Sequence, residues 1–272
     1  MSYIYKCSPD EFLEKSMIPV RVLETEQDMY EEIAQIMVDT VKKKEGKTTV
    51  FICPVGPIGH YPVFVKKVNE NNINLKNVWF FNMDEYLDDQ DRMISMDNPL
   101  SFRGFMQREV YSKIKPDLIM PEEQRLFPIP GKEKQIDDLL SELGCDCCLT
   151  GVGINGHIAF NEPPEENDPI TDNEYMRIYT RCLNLSKETI INNGSRKIRG
   201  ALDLMPKRCI SLGMRQILSA KMIKIYLYCD WQWGIMRKIA LEPPTRLAPA
   251  SFLQLHPNSE MVITKELLNV KL

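Results

Sequence analysis

Apolar and polar positions follow two periods along this chain. Met29, Ile33, Ile36, Met37 and Val41 recur at helical spacing, the pattern of an amphipathic helix laid on a core. Acids precede them and Lys42, Lys43 and Lys44 follow, as the helix dipole favours. Thr48–Cys53 is then nearly all apolar and rich in β-formers, which predicts a strand buried on both faces. The contrast repeats. Strands are expected at Val20–Leu23, Asn77–Phe81, 146–150, Met176–Tyr179, Arg208–Leu212 and Lys224–Tyr228. Helices are expected at Val63–Val68, Phe102–Ile114, Lys132–Leu143 and Trp233–Leu241, and Phe252–Pro257 and Met261–Thr264 close the chain. Residues 164–174 read as a loop. Residues 1–18 read as an N-terminal extension with a short helix at Pro9–Lys15. Alternating strands and helices predict an α/β fold with a largely parallel sheet flanked by helices. No repeat, low-complexity run or linker breaks residues 1–272, so one domain is expected.

Composition narrows the function classes. The net charge of −4 gives no broad electrostatic reason to expect nucleic acid or an anionic membrane as partner. No apolar run approaches a membrane span, and Met1-Ser-Tyr-Ile-Tyr-Lys6 lacks the apolar core of a signal peptide. Cys53, Cys147, Cys148, Cys209 and Cys229 sit in or beside apolar runs, where free cysteine behaves as a small hydrophobe. Cys145-x-Cys147-Cys148 lacks zinc-site spacing, and with 3 histidines no Cys/His metal site is expected. A reducing cytoplasm is the expected compartment.

Candidate chemistry gathers in three stretches. In Gly151-Val-Gly-Ile-Asn-Gly-His-Ile-Ala-Phe-Asn-Glu-Pro163, three glycines follow a strand end and deliver His157 and Glu162. Glycines there allow close backbone approach to a ligand. The spacing Gly151-x-Gly153-x-x-Gly156 also fits a dinucleotide fingerprint, but Pro163 and Pro164 stop the helix that fingerprint needs. A buried, satisfied histidine in a glycine turn is the third reading. Earlier, the predicted strand at Thr48–Cys53 runs into Pro54-Val-Gly-Pro-Ile-Gly-His60 and a helix, an arrangement that binds anions at a helix N-terminus. The strand at Asn77–Phe81 ends in Asn82-Met-Asp-Glu-Tyr86, which places two acids near the ligand crevice of a parallel sheet.

Phe81-Asn-Met-Asp-Glu-Tyr86, the stretch 151–163 and Leu253-Gln-Leu-His-Pro257 together resemble the glucosamine-6-phosphate deaminase family. Order and separations agree over roughly Val20 to Thr264. The Phe-Asn-Glu-Pro ending separates that family from the 6-phosphogluconolactonases. The resemblance implies the Rossmann-like fold of ribose-5-phosphate isomerase and the CoA transferases. It implies conversion of an amino-sugar phosphate to a ketose phosphate and ammonia, without metal or organic cofactor. It implies a homo-oligomer with a sugar or sugar phosphate as its partner. On this resemblance Asp84 is the base for isomerisation, His157 opens the ring, and Glu162 and Asn155 orient the histidine. Gly56, Ile58, Gly59, His60, Glu85, Gly153 and Arg196 are expected to bind substrate.

The departures matter as much. Asn155 stands where many members carry Asp. The turn 54–60 contains no hydroxyl, and Pro57 lacks a backbone donor. Trp233 falls where the resemblance expects a phosphate-binding lysine, so a depleted anion site is expected. Lys238 is offset along the helix, while Arg215, Arg237 and Arg246 could restore the charge. The acidic run Pro164-Glu-Glu-Asn-Asp168 replaces a Ser/Arg-rich allosteric segment, so no activator is carried over. An isomerase or deaminase of a different sugar, phosphorylated or not, or a non-catalytic sugar sensor, stays open on the same fold.

Overall fold

A computed structural model describes residues 2–271; Met1 and Leu272, the ends of the expected domain range, lie outside the described residues. The chain forms α1 (Pro9–Lys15), β1 (Val20–Leu23), α2 (Glu26–Lys43), β2 (Thr49–Cys53), α3 (His60–Glu70), β3 (Val78–Asn82) and β4 (Asp84–Leu87). Then come α4 (Phe102–Glu109), β5 (Arg125–Leu126), α5 (Glu133–Leu143), β6 (Cys147–Thr150), α6 (Asp172–Tyr175), β7 (Arg181–Asn184) and α7 (Lys187–Lys197). The last part holds β8 (Arg208–Ser211), α8 (Met214–Leu218), β9 (Ile223–Leu227), α9 (Trp233–Leu241), β10 (Ser259–Thr264) and α10 (Lys265–Leu268).

Seven strands make one parallel sheet in the order β1-β10-β9-β6-β2-β3-β5. The chain travels outward through β2, β3 and β5, then returns through β6, β9 and β10. The strand order therefore reverses between β2 and β6, and open α/β sheets bind ligands at the carboxyl ends flanking such a reversal. Both strands are buried along their length, as two-sided helix cover demands. Two hydrophobic clusters sandwich the sheet. Met29, Ile33, Met37 and Phe64 of α2 and α3 lie in one. Ile217, Ile239 and Leu253 lie in the other. Among the described residues no helix is long and apolar enough to cross a membrane.

A second sheet, antiparallel β4-β8-β7, was not legible in the hydrophobic pattern. Its strand β4 opens on acids, and its pairing partner lies more than a hundred residues away, with Asp84 opposite Ser211. The expected strand at Met176–Tyr179 does not form. Thr171 and Glu174 make a reciprocal capping box that starts the short helix α6 instead. The expected helix to Ile114 ends at Glu109, because Val110 leaves helical backbone to bury its side chain. The polar residues of α7 gave no core-facing signal, and that helix was not anticipated.

Residues read as an extension pack tightly. Arg237 on α9 is buried and donates to the carbonyls of Ile4 (3.2 Å) and Cys7 (3.0 Å). Its guanidinium lies 4.4 Å from the Trp233 ring, which stacks on Tyr5.

Glu85 corrects an expectation. It is fully buried beneath α4, away from the ligand crevice. Its carboxylate accepts from Ser101 Oγ (2.9 Å) and from the backbone of Phe102 (3.1 Å) and Arg103 (2.9 Å). Those donors belong to the unsatisfied first turn of a helix, so Glu85 anchors α4 rather than substrate. Replacing Glu85 with Ala would leave buried donors unpaired. Glu85→Ala is expected to lower stability by about 3 kcal/mol, read as a lower urea midpoint, with Glu85→Gln losing less.

Candidate active site

The loops after β2 and β6 meet at the strand-order reversal. A Cβ on Gly151 would stand 3.1 Å from the Gly56 carbonyl oxygen, so both turns approach as bare backbone. Around them opens a cleft of about 160 Å³, lined by Pro54–Pro57, Asp84, Gly151–Gly153, His157, Arg196, Lys197 and Trp231 among others. A larger cavity of about 250 Å³ lies elsewhere, lined by Lys42, Thr49, Asn72 and Asn77 among others. Its lining holds neither a carboxylate nor an imidazole, so the chemistry belongs to the smaller one.

The loop from 151 to 163 is held by its own backbone and by three neighbours. Gln232 donates to the Val152 carbonyl (2.9 Å), and Asn161 donates to the Leu212 carbonyl (2.8 Å). Ser211 Oγ accepts from the Phe160 N–H (3.0 Å). Ala159 takes a positive φ of 53°, a backbone cost that those bonds hold in place. Gly153 is indispensable in a different way. A Cβ there would lie 2.1 Å from His157 Nε2, so the ring rests directly on the glycine.

Asn155 orders the histidine. Its Nδ2 donates to Glu162 Oε2 (2.7 Å) and to Ser186 Oγ (3.1 Å). A carboxylate only accepts, which fixes the amide orientation and turns Oδ1 toward His157 Nδ1 at 2.8 Å. Nδ1 is therefore the protonated nitrogen, and Nε2 carries the exchangeable site. Glu162 Oε2 lies 3.3 Å from the same Nδ1. Burial works against the Glu162 charge, yet the His157 charge and hydrogen bonds from His157, Asn155 and Thr189 hold its carboxyl down to about 2.

Asp84 has the opposite setting. It stands at the first residue of β4, where the chain leaves the parallel sheet, and it is 7% exposed. Burial raises its carboxyl to about 7, opposed by Lys197 and His157 and reinforced by Glu85. A base tuned to neutrality is what proton abstraction needs.

The structure thus brings together Asp84, Asn155, His157, Glu162, Gly56, Gly153 and Arg196. Ile58, Gly59 and His60 do not join them, because after Pro57 the chain turns into α3 and packs on α2. Ile58 is 44% exposed. Gly59 lies against the Tyr30 ring, where a Cβ would stand 2.2 Å from a ring carbon. His60 is buried beside Tyr61, and burial lowers its imidazole to about 3. Arg215 lies over Tyr179, Arg237 is under Trp233, and Arg246 donates to the carbonyls of Glu166 and Asp168. None of these three lines the cleft, and neither do Trp233 and Lys238. Sequence reasoning missed Lys197 and Trp231, which do. The Arg196 guanidinium lies 5.0 Å from the Trp231 ring, and its Nη2 donates to Cys229 Sγ at 3.1 Å. A run of polar residues ending in Arg-Lys was the available signal.

No family model matches the chain. It is 29% identical over 253 residues to the glucosamine-6-phosphate deaminase of Mycoplasma mycoides subsp. mycoides, covering 90% of this chain and 93% of that protein. Identity to the protein of the same name from Mycoplasmopsis pulmonis is 27% over 244 residues, 88% and 90% of the two chains. A solved structure described as a monomeric glucosamine-6-phosphate deaminase superposes with a TM-score of 0.78 at 25% identity, covering 93% of this chain and 99% of that one. The chain is a relative of the glucosamine-6-phosphate deaminases. The 6-phosphogluconolactonase of Thermotoga maritima, at 16% identity and a TM-score of 0.63 over 90% and 99% of the chains, shares the fold alone. In this chain the turn 54–60 offers the cleft no hydroxyl.

A side chain at position 153 would push the His157 ring off its seat. Gly153→Ala is therefore expected to cut turnover by about 10²-fold, measured in steady-state assays, while the protein still melts cooperatively.

Proposed function

We propose that this protein is an amino-sugar-phosphate deaminase and isomerase, taking glucosamine 6-phosphate and water to a ketose phosphate and ammonia. The observation that carries the reading is the pairing, in one cleft at the sheet reversal, of a buried Asp84 with the His157–Asn155–Glu162 chain. Each part suits a step. His157 Nε2 exchanges a proton with the ring oxygen as the sugar opens, and Glu162 stabilises the imidazolium that holds that proton. Asp84 as carboxylate takes the proton from C2 and returns it to C1. The C2 nitrogen then leaves as ammonia while water supplies the ketose oxygen. Arg196, laid on Trp231, presents a planar fork suited to a phosphate.

The hydroxyl-free turn favours a second reading, a sugar without its phosphate. Comparing kcat/KM for an amino sugar and its 6-phosphate separates the two, and ammonia release separates either from a sensor. Eight free cysteines among the described residues fit a reducing, cytoplasmic location. Assembly into an oligomer is a separate proposal, set beside a structural relative described as monomeric, and light scattering in solution decides it.

Three outcomes are expected. The base must be ionised, so kcat/KM should fall with decreasing pH, with its acid midpoint near the Asp84 value of about 7. Asp84→Asn should abolish ammonia release while leaving sugar-phosphate binding by calorimetry close to wild type; near-normal turnover would move the base elsewhere. His157→Gln should slow the closed-ring sugar by about 10²-fold or more and an open-chain analogue far less, in matched initial-rate assays.

A further inference from the structure

Lys197 closes α7 and lines the cleft together with Asp84 and Arg196. Its outer side meets solvent, and its Nζ lies 4.6 Å from the centre of the Phe102 ring. Among the described residues that ammonium makes no hydrogen bond and no ion pair. The Asp84 carboxylate likewise has no side-chain hydrogen bond from a described residue, although it is buried. An unpaired cation and an unpaired buried carboxylate thus share one small cleft, with the apolar face of Phe102 beside them. Protein on either side weakens screening, so charges act on one another there at more than contact distance.

We propose that Lys197 is the cleft cation that biases Asp84 toward the carboxylate before substrate arrives, against the pull of burial. Asp84 feels His157 from the loop after β6, Tyr61 of α3, Tyr86 of β4 and Cys209 of β8, and Glu85 from the opposite face of its own strand. Of the neighbouring charges, Lys197 acts most strongly and in the ionising direction, whereas Glu85 opposes it. The effect is mutual. Lys197 as a residue is exposed, so it is the protein packed round its amine that lowers it to about 8; Asp84 and Glu85 pull it back up, while Arg196 pushes it down. Arg196 and Lys197 are consecutive on a helix and so diverge. Arg196 turns to Trp231 and Cys229, Lys197 to Phe102, in the cleft wall it shares with Asp84. One cation is thereby left for a ligand anion and the other for the base.

The titration can be followed without substrate, so it stands apart from the deaminase reading, on which only the word "base" rests. Protein labelled with carboxyl-¹³C aspartate gives the Asp84 resonance, identified by its loss in Asp84→Asn. Lys197→Met should raise the Asp84 midpoint by about one pH unit, since loss of a nearby cation removes stabilisation of the carboxylate. Lys197→Arg should keep it near wild type, and the acid limb of kcat/KM should move in step. Should Lys197→Met fail to fold, Lys197→Gln carries the same expectation. A midpoint that stays put in a folded, neutral variant overturns the proposal. So does an unmoved midpoint accompanied by lost binding of inorganic phosphate, which would make Lys197 an anion ligand. If no variant releases ammonia while the midpoint shifts as expected, the deaminase reading fails and the role of Lys197 stands.

Discussion

Two stretches of bare backbone touching at the centre of the sheet govern the site. A Cβ on Gly151 would crowd the Gly56 carbonyl oxygen at 3.1 Å, and the two glycines follow the buried strands β6 and β2 on either side of the order reversal. The two turns meet beside the cleft as backbone, with the chemical side chains set round them. Everything chemical is then hung from its edges. Asp84 comes from the strand that leaves the sheet, His157 from the turn itself, and Arg196 and Lys197 from the end of α7. A bulky residue at Gly151 would push on the facing turn and shift these groups with it.

Burial alone would make both cleft acids neutral, and the structure treats them differently. Glu162 receives donors from Asn155 and Ser186 and sits beside His157, so its carboxyl stays far below the ordinary range. Asp84 has only charges at a distance, and burial lifts its carboxyl to about 7. Two acids pushed apart in this way can take separate roles in one reaction, one a fixed anion and the other a proton carrier. Asn155 makes the division possible. Its two-sided amide joins imidazole to carboxylate and fixes which nitrogen carries the proton.

The tryptophan at 233 also has a structural meaning. Where the family resemblance expects a lysine, the ring stacks on Tyr5 and covers Arg237, which ties down the carbonyls of Ile4 and Cys7. The position serves the attachment of the first residues to α9. Two residues earlier, Trp231 faces the cleft and carries Arg196.

The sequence by itself determined the elements whose signals are local. The uniformly apolar runs became β2, β3 and β6, and the pattern at Trp233–Leu241 became α9 over the same residues. The glycine stretch carries His157 and Glu162 within a few residues of each other, so their meeting needs only a turn. Tertiary structure decided whatever depends on side-chain direction or distant pairing. Asp84 and Glu85 are adjacent acids, yet alternate side chains of a strand face opposite ways, so one enters the cleft and the other anchors α4. The antiparallel sheet depends on β4 finding β8 across the chain. Lys197 reads as an ordinary exposed charge until α7 is folded against the cleft, because its neighbours there come from residues roughly a hundred positions away.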